Sequence, residues 1–120
     1  TSRGLGDVYK RQALSMASDN VWCAGVILGN PIENWKNIDF NTLKSTLYWN
    51  DETPQEAIIK DANPFDTLAW VINLRLSLNL NIPKGSKIIT GSVIKTRSPK
   101  KGDVVTYNVG NLSETKIRLI

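Results

Sequence analysis

Apolar and polar positions follow two different periods along this chain, and the change of period separates its elements. Ala24 to Leu28 is a short β-branched run closed by Gly29-Asn30-Pro31, which predicts a strand followed by a turn. Ile38 to Leu43 reads as a short connecting element. Lys44 to Trp49 is rich in Thr, Leu, Tyr and Trp, meets Asn50-Asp51-Glu52, and continues into Thr53 to Lys60. This predicts a hairpin turning at Asn50 and Asp51, whose side chains tolerate left-handed backbone angles. Pro54 lacks an N–H, so the return strand is expected at a sheet edge or with a late start.

The strongest helix signal is Asn63-Pro64-Phe65-Asp66. Asn is a preferred N-cap, Pro suits the first helical position, and Asp66 favours the positive end of the helix dipole. Apolar residues recur at Leu68, Val71, Ile72, Leu76 and Leu78, predicting one buried stripe on a helix over about 64–80. The helix is expected to stop before Ile82-Pro83, because the residue preceding proline avoids helical angles. The pattern then turns to β. Lys87 to Thr90 leads into Gly91-Ser92, Pro99 to Asp103 forms a turn cluster, and Val104 to Val109 and Thr115 to Ile120 alternate like paired strands joined at Gly110-Asn111. The expected class is α+β, mainly β, with one long helix.

Composition narrows the chemistry. The chain has 120 residues, 41% of them hydrophobic, enough for one small globular domain. It has no histidine and one cysteine, Cys23, which excludes Ser-His-Asp and Cys-His catalysis, an internal disulfide and a four-ligand zinc site. A reducing, cytoplasmic setting is the expectation. Residues 1–12 contribute Arg3, Lys10 and Arg11 against Asp7, show no apolar periodicity, and read as a non-native adaptor or cloning-derived segment rather than a signal peptide. Without them the formal charge falls from +4 to +2, which weakens a nucleic-acid reading. The apolar stretch Leu68 to Leu80 is broken by Asn73, Arg75, Ser77 and Asn79, well short of the roughly 20 residues a membrane span needs.

The order of several short words resembles the C-terminal half of the fumarylacetoacetate hydrolase superfamily. They are Ser18-Asp19-Asn20 with Ala24 to Gly29, Asn63-Pro64 with Leu68-Ala69-Trp70, Ile88 to Ser92, Lys101-Gly102-Asp103 and Gly110-Asn111-Leu112. Within it the chain looks most like the 2-keto-4-pentenoate hydratases, the 2-oxohept-3-enedioate hydratases and the 4-oxalocrotonate decarboxylases. The resemblance covers residues 15 to 120 and implies that 13–120 form the C-terminal portion of one catalytic domain, a fumarylacetoacetase-like mixed β-roll. Two departures stand out. Ser113 replaces a usual Gly, and Val93-Ile94-Lys95-Thr96 replaces an aromatic-Thr-Arg-Pro run, keeping a positive charge at Lys95 without arginine's fork.

The resemblance implies a metal-dependent hydratase or decarboxylase acting on small 2-oxo-alkenoates in aromatic-compound catabolism, with the parent enzyme a homo-oligomer. The Mg²⁺ or Mn²⁺ ligands and the acid/base lysine of that family lie upstream of the Asp-Asn word, so the chain is expected to be an inactive fragment that tends to self-associate. Its contribution would be substrate binding through Ser92, Gly91 and Lys95. The Ser92 hydroxyl would donate to the acid's carboxylate, Gly91 would allow close backbone approach, and Lys95 would attract a distal carboxylate. Each has a local reading too: a strand end turning into a loop, and a solvated lysine beside Arg97, Lys100 and Lys101. Asp19 and Asn20 read as local backbone partners, Asp51, Glu52 and Glu56 as solvated charges near a hairpin tip, and Cys23 and Trp70 as buried hydrophobes. Two alternatives stay open: an acylpyruvate-type C–C hydrolase, which usually shows Gly-Thr-Pro where this chain has Gly91-Ser92-Val93, and a non-enzymatic β-rich binding module. The basic 95–101 loop lacks interleaved aromatics, so neither nucleic acid nor membrane is expected as a partner.

Overall fold

The computed structural model describes residues 25–120. The readings placed on 1–12, Ser18-Asp19-Asn20 and Cys23 lie outside the described residues. Four strands form one antiparallel sheet: β1 (Lys44–Trp49), β2 (Gln55–Ile58), β3 (Val104–Val109) and β4 (Ser113–Arg118), in the order β2-β1-β3-β4. The β1–β2 hairpin turns through Asn50, which takes φ +50, as the left-handed tolerance of Asn allows. β2 sits at an edge and begins one residue after Pro54, so the missing proline N–H costs no ladder bond. With one α-helix among the described residues, α1 (Pro64–Ser77), the class is α+β.

Register fixes which side chains share a face. Ser45 lies opposite Ala57 and Val109, Leu47 opposite Tyr107, and Trp49 opposite Val105; Tyr107 in turn lies opposite Thr115, and Val105 opposite Ile117. These residues form the apolar face. The other face carries Lys44, Glu56, Thr106, Glu114, Lys116 and Arg118, so β4 alternates between half-buried and exposed positions. The centre of the apolar face is small. Among the described residues only Ser45 and Val105 are buried, and the Ser45 hydroxyl donates to the Ala57 carbonyl at 3.4 Å.

Three expectations need correcting. Residues 25–28 form no strand; the segment 25–30 runs irregularly over β4, where Ile27 approaches Val105, Tyr107, Thr115 and Ile117. Side-chain contact, rather than a ladder, holds it. Ser113 Oγ donates to the Asn30 carbonyl at 3.1 Å, and Gly29 passes so near β4 that a Cβ there would meet Thr115 Oγ1 at 2.6 Å. Residues 87–90 are likewise outside the sheet, since they find no neighbouring strand to pair with among the described residues. The last strand starts at Ser113 and ends at Arg118, two residues earlier at each end than the alternation indicated, because the turn at 110–112 is shorter.

Helix α1 starts at Pro64 as expected, with Asp66 in its first turn, but Asn63 does not cap it with its side chain. Its backbone instead takes φ +46, and its carbonyl accepts the Thr67 N–H at 3.0 Å. The helix ends three residues short of the expected 80. Asn79 at φ +55 closes a double C-terminal turn, with Leu80 N–H donating to Arg75 O at 2.9 Å and Asn79 N–H to Leu76 O at 3.0 Å. The helix stops there, before proline is reached. Phe65 anchors its start against Phe40 edge-on at 5.0 Å and against Trp35 at 6.4 Å. The expected stripe is only partly covered: Leu68, Val71 and Ile72 are half-buried, whereas Leu76 and Leu78 are exposed. Trp70, expected in the core, is 64% exposed, because no strand of the sheet packs over that side.

The tight passage of Gly29 over β4 makes a quantitative expectation. Gly29→Ala forces a methyl onto the Ser113 and Thr115 hydroxyls, 2.7 and 2.6 Å from its Cβ, and should lower stability by about 1–2 kcal/mol. Urea denaturation of the two chains measures it, and Gly25→Ala, with open space around its Cβ, should be much milder.

Candidate functional site

The best-defined side-chain network stands where the β1–β2 turn meets the loop entering β3. Asn50 is its centre. Its amide Nδ2 donates to Asp103 Oδ1 at 2.9 Å, its Oδ1 accepts the Val104 N–H at 2.8 Å, and its own N–H donates to the Val104 carbonyl at 2.8 Å. Asp103 Oδ2 accepts the Lys100 N–H at 2.8 Å, closing the Lys100–Asp103 turn, in which Gly102 takes φ +93. Arg97 joins from the preceding loop. Its two terminal nitrogens donate to both oxygens of Glu52 at 2.8 and 2.9 Å, and its guanidinium lies 4.3 Å from the Trp49 ring centroid. The Asp103 carboxyl is held below its ordinary pKa, first by the Asn50 amide and then by the Lys100 N–H. Glu52 is lowered chiefly by its bond to Arg97. The 52–56 acids are therefore not one solvated cluster: Glu52 belongs to this network, while Glu56 faces Lys44 at 3.4 Å on the polar face.

The three residues expected to bind substrate lie on the loop that Arg97 ties down. Gly91 has φ +113, a conformation that favours glycine, but a Cβ there would meet nothing within 4 Å. Its positive φ serves the bend, and the space beside its Cα is open. The Ser92 hydroxyl donates to the Ile94 carbonyl at 2.6 Å and accepts the Ile94 N–H at 3.2 Å, a local turn that already uses its one proton. Lys95 is exposed. The loop brings the three together by adjacency, on an open surface.

A concavity of about 420 Å³ lies just before this loop, between α1 and residues 82–89. Val71, Ile82, Ile88 and Ile89 give it apolar lining, and Arg75 and Lys87 also line it. Sequence reasoning passed over it, and over the Asn50–Asp103 network. The signal for the cleft was a run of like charge: between Asp66 and Asp103 the chain has seven basic residues and no acidic one.

The described residues do not fit a divalent cation. No group of three Asp, Glu, Cys or His side chains is placed to hold a metal among them, and the nearest candidates, Glu52 and Asp103, are already bonded to Arg97 and to Asn50 and Lys100. No helix among the described residues is long and apolar enough to cross a membrane.

Comparison with known proteins bears on what this arrangement serves. The chain is 26% identical over 113 residues to a 2-oxo-hept-4-ene-1,7-dioate hydratase of Escherichia coli, covering 92% of this chain and 42% of that protein. It is 24% and 26% identical to 4-oxalocrotonate decarboxylases of Pseudomonas putida and Pseudomonas sp. (strain CF600), each match covering 93% of this chain and 43% of the relative. The chain resembles the hydratase and decarboxylase branch of the fumarylacetoacetate hydrolase superfamily. It spans less than half the length of these relatives. No family model matches it, and no solved structure does.

The lowered carboxyls give the network a pH signature. The unfolded chain takes up protons at Glu52 and Asp103 before the folded one does, so their contribution is present above about pH 4 and is lost as pH falls through the depressed values. Thermal midpoints measured between pH 6 and 3 should fall less steeply in Glu52→Gln and Asp103→Asn than in the parent chain.

Proposed function

We propose that the chain is part of a hydratase or decarboxylase acting on 2-oxo-alkenoates, and that it contributes substrate-binding surface rather than the complete catalytic centre. The observation that carries this reading is the similarity to one hydratase and two decarboxylases along 92–93% of the chain. Hydration adds a proton and a hydroxyl across the carbon–carbon double bond. Decarboxylation breaks the bond to a leaving carboxylate, whose electron pair is delocalised toward the 2-oxo group before the carbon is protonated. Both pass through an enolate, and both require the substrate's carboxylate to be held still. No group of three Asp, Glu, Cys or His side chains stands together in residues 25–120, and within this reading the Mg²⁺ or Mn²⁺ such chemistry employs is held by residues outside them.

Within this reading, Ser92 turns its hydroxyl from the Ile94 carbonyl to a substrate carboxylate, exchanging one 2.6 Å bond for a charge-assisted one. Lys95 draws in a distal carboxylate, and Gly91 provides the bend that presents both. The antiparallel sheet is read as one part of a mixed β-roll completed by further chain, and the apolar side of α1 as a face that such chain covers. The parent is read as a cytoplasmic homo-oligomer.

The test is a chimera in which this chain replaces the corresponding part of the Escherichia coli hydratase. The chain alone should turn over neither 2-oxo-hept-4-ene-1,7-dioate nor 4-oxalocrotonate with Mg²⁺ or Mn²⁺. The folded chimera should consume at least one of them, followed by loss of ultraviolet absorbance, and Ser92→Ala in it should lower kcat/KM about tenfold. A folded chimera silent on both substrates overturns the reading. Metal-dependent turnover by the chain alone overturns the incomplete-centre part of it.

A further inference from the structure

The cleft between α1 and residues 82–89 is separate from the Ser92 loop, and its chemistry is specific enough to name a ligand. We propose that it binds a small organic carboxylate, with Arg75 and Lys87 receiving the charged end and the apolar walls covering a short hydrocarbon body. This does not depend on the hydratase reading.

Charge is the first argument. Of the seven bases between Asp66 and Asp103, Arg97 alone is in an ion pair among the described residues, so the surface around the cleft keeps a field of one sign. Arg75 is also held in place. One guanidinium nitrogen donates to the Asn81 carbonyl at 3.0 Å, and the backbone at Arg75 is pinned by the Leu80 N–H closing the helix. An arginine restrained by a neutral acceptor loses less freedom on meeting an anion, and among the described residues no carboxylate pairs with its remaining N–H groups. Among the described residues Lys87 donates to the Gly85 carbonyl, at 3.0 Å, and to no carboxylate.

Shape and lining decide among anions. A space of about 420 Å³ takes a molecule of a few carbons and is too small for a folded partner. Val71, Ile82, Ile88 and Ile89 offer methyl and methylene surface, which an inorganic phosphate cannot use and an aliphatic acid can. Ser86, also in the lining, donates its hydroxyl to the Pro83 carbonyl at 2.6 Å, so the charged recognition falls to the two cations. Nucleic acid is disfavoured, because no aromatic residue occurs between Trp70 and Tyr107 to stack a base.

The test titrates glutarate into the folded 120-residue chain and follows the amide resonances of residues 82–89 by NMR, with glutaramide and inorganic phosphate as matched probes. Saturable millimolar binding of glutarate is expected, with glutaramide and phosphate each about tenfold weaker. Arg75→Gln and Lys87→Gln should each weaken glutarate about tenfold, whereas Lys116→Gln on the polar face of the sheet should not. Arg75 also braces Asn81, so Lys87→Gln, which touches only a surface turn, decides the matter if the first variant does not fold. Absence of saturation, equal binding of glutaramide, tighter binding of phosphate than of glutarate, or an unchanged affinity in Lys87→Gln each overturns the proposal. No turnover is needed, so the result is independent of the chimera's.

Discussion

The antiparallel pairing of β1 with β3 is the constraint on which the rest of this structure hangs. Trp49 opposite Val105 and Ser45 opposite Val109 bring together segments separated by more than half the described chain. β2, α1 and the long loop to Asp103 are an excursion whose two ends this pairing joins. Asn50 locks the mouth of that excursion, satisfying three backbone and side-chain partners across it with one residue. Arg97 then fastens the returning loop to the same corner through Glu52 and Trp49. The Gly91–Lys95 loop and the Arg75 cleft therefore lie between that corner and the aromatic anchor of Phe65 at the start of α1.

Burial tells a complementary story. α1 is apolar on nearly every side, with Phe65, Trp70, Leu74 and Leu76 exposed, as is Leu78 just beyond its end. A helix hydrophobic all round belongs inside a larger body. The sheet shows the same shortage, since its apolar face closes fully over only Ser45 and Val105. These observations stand beside curated relatives that are more than twice as long as this chain.

Local rules were legible and distant ones were not. The hairpin at Asn50, the edge position after Pro54, the helix start at Pro64 and the β3–β4 pair were all readable, because each is set by residues within a few positions of one another. The end of α1 departs from the apolar pattern because Asn79, which interrupts that run, takes a left-handed backbone that stops the helix. Residues 25–28 and 87–90 have strand-like composition, but a strand requires a partner, and composition does not supply one. The candidate site divides in the same way. The bend at Gly91 could be seen locally, whereas Glu52 with Arg97, 45 positions apart, and Asn50 with Asp103, 53 apart, meet only in three dimensions.

The order of strands also carries a kinetic consequence. The β1–β2 and β3–β4 hairpins close through turns of a few residues and can each form within microseconds. Joining them requires the ends of the long excursion between Trp49 and Val105 to find one another, a search whose entropic barrier is met before any of the β1–β3 bonds repay it. The two hairpins are thus early, separable units and their union the slow event. Until it occurs, the inner edges of β1 and β3 are unpaired templates open to a neighbouring molecule, so crowding of newly made chains favours exchange of hairpins between them.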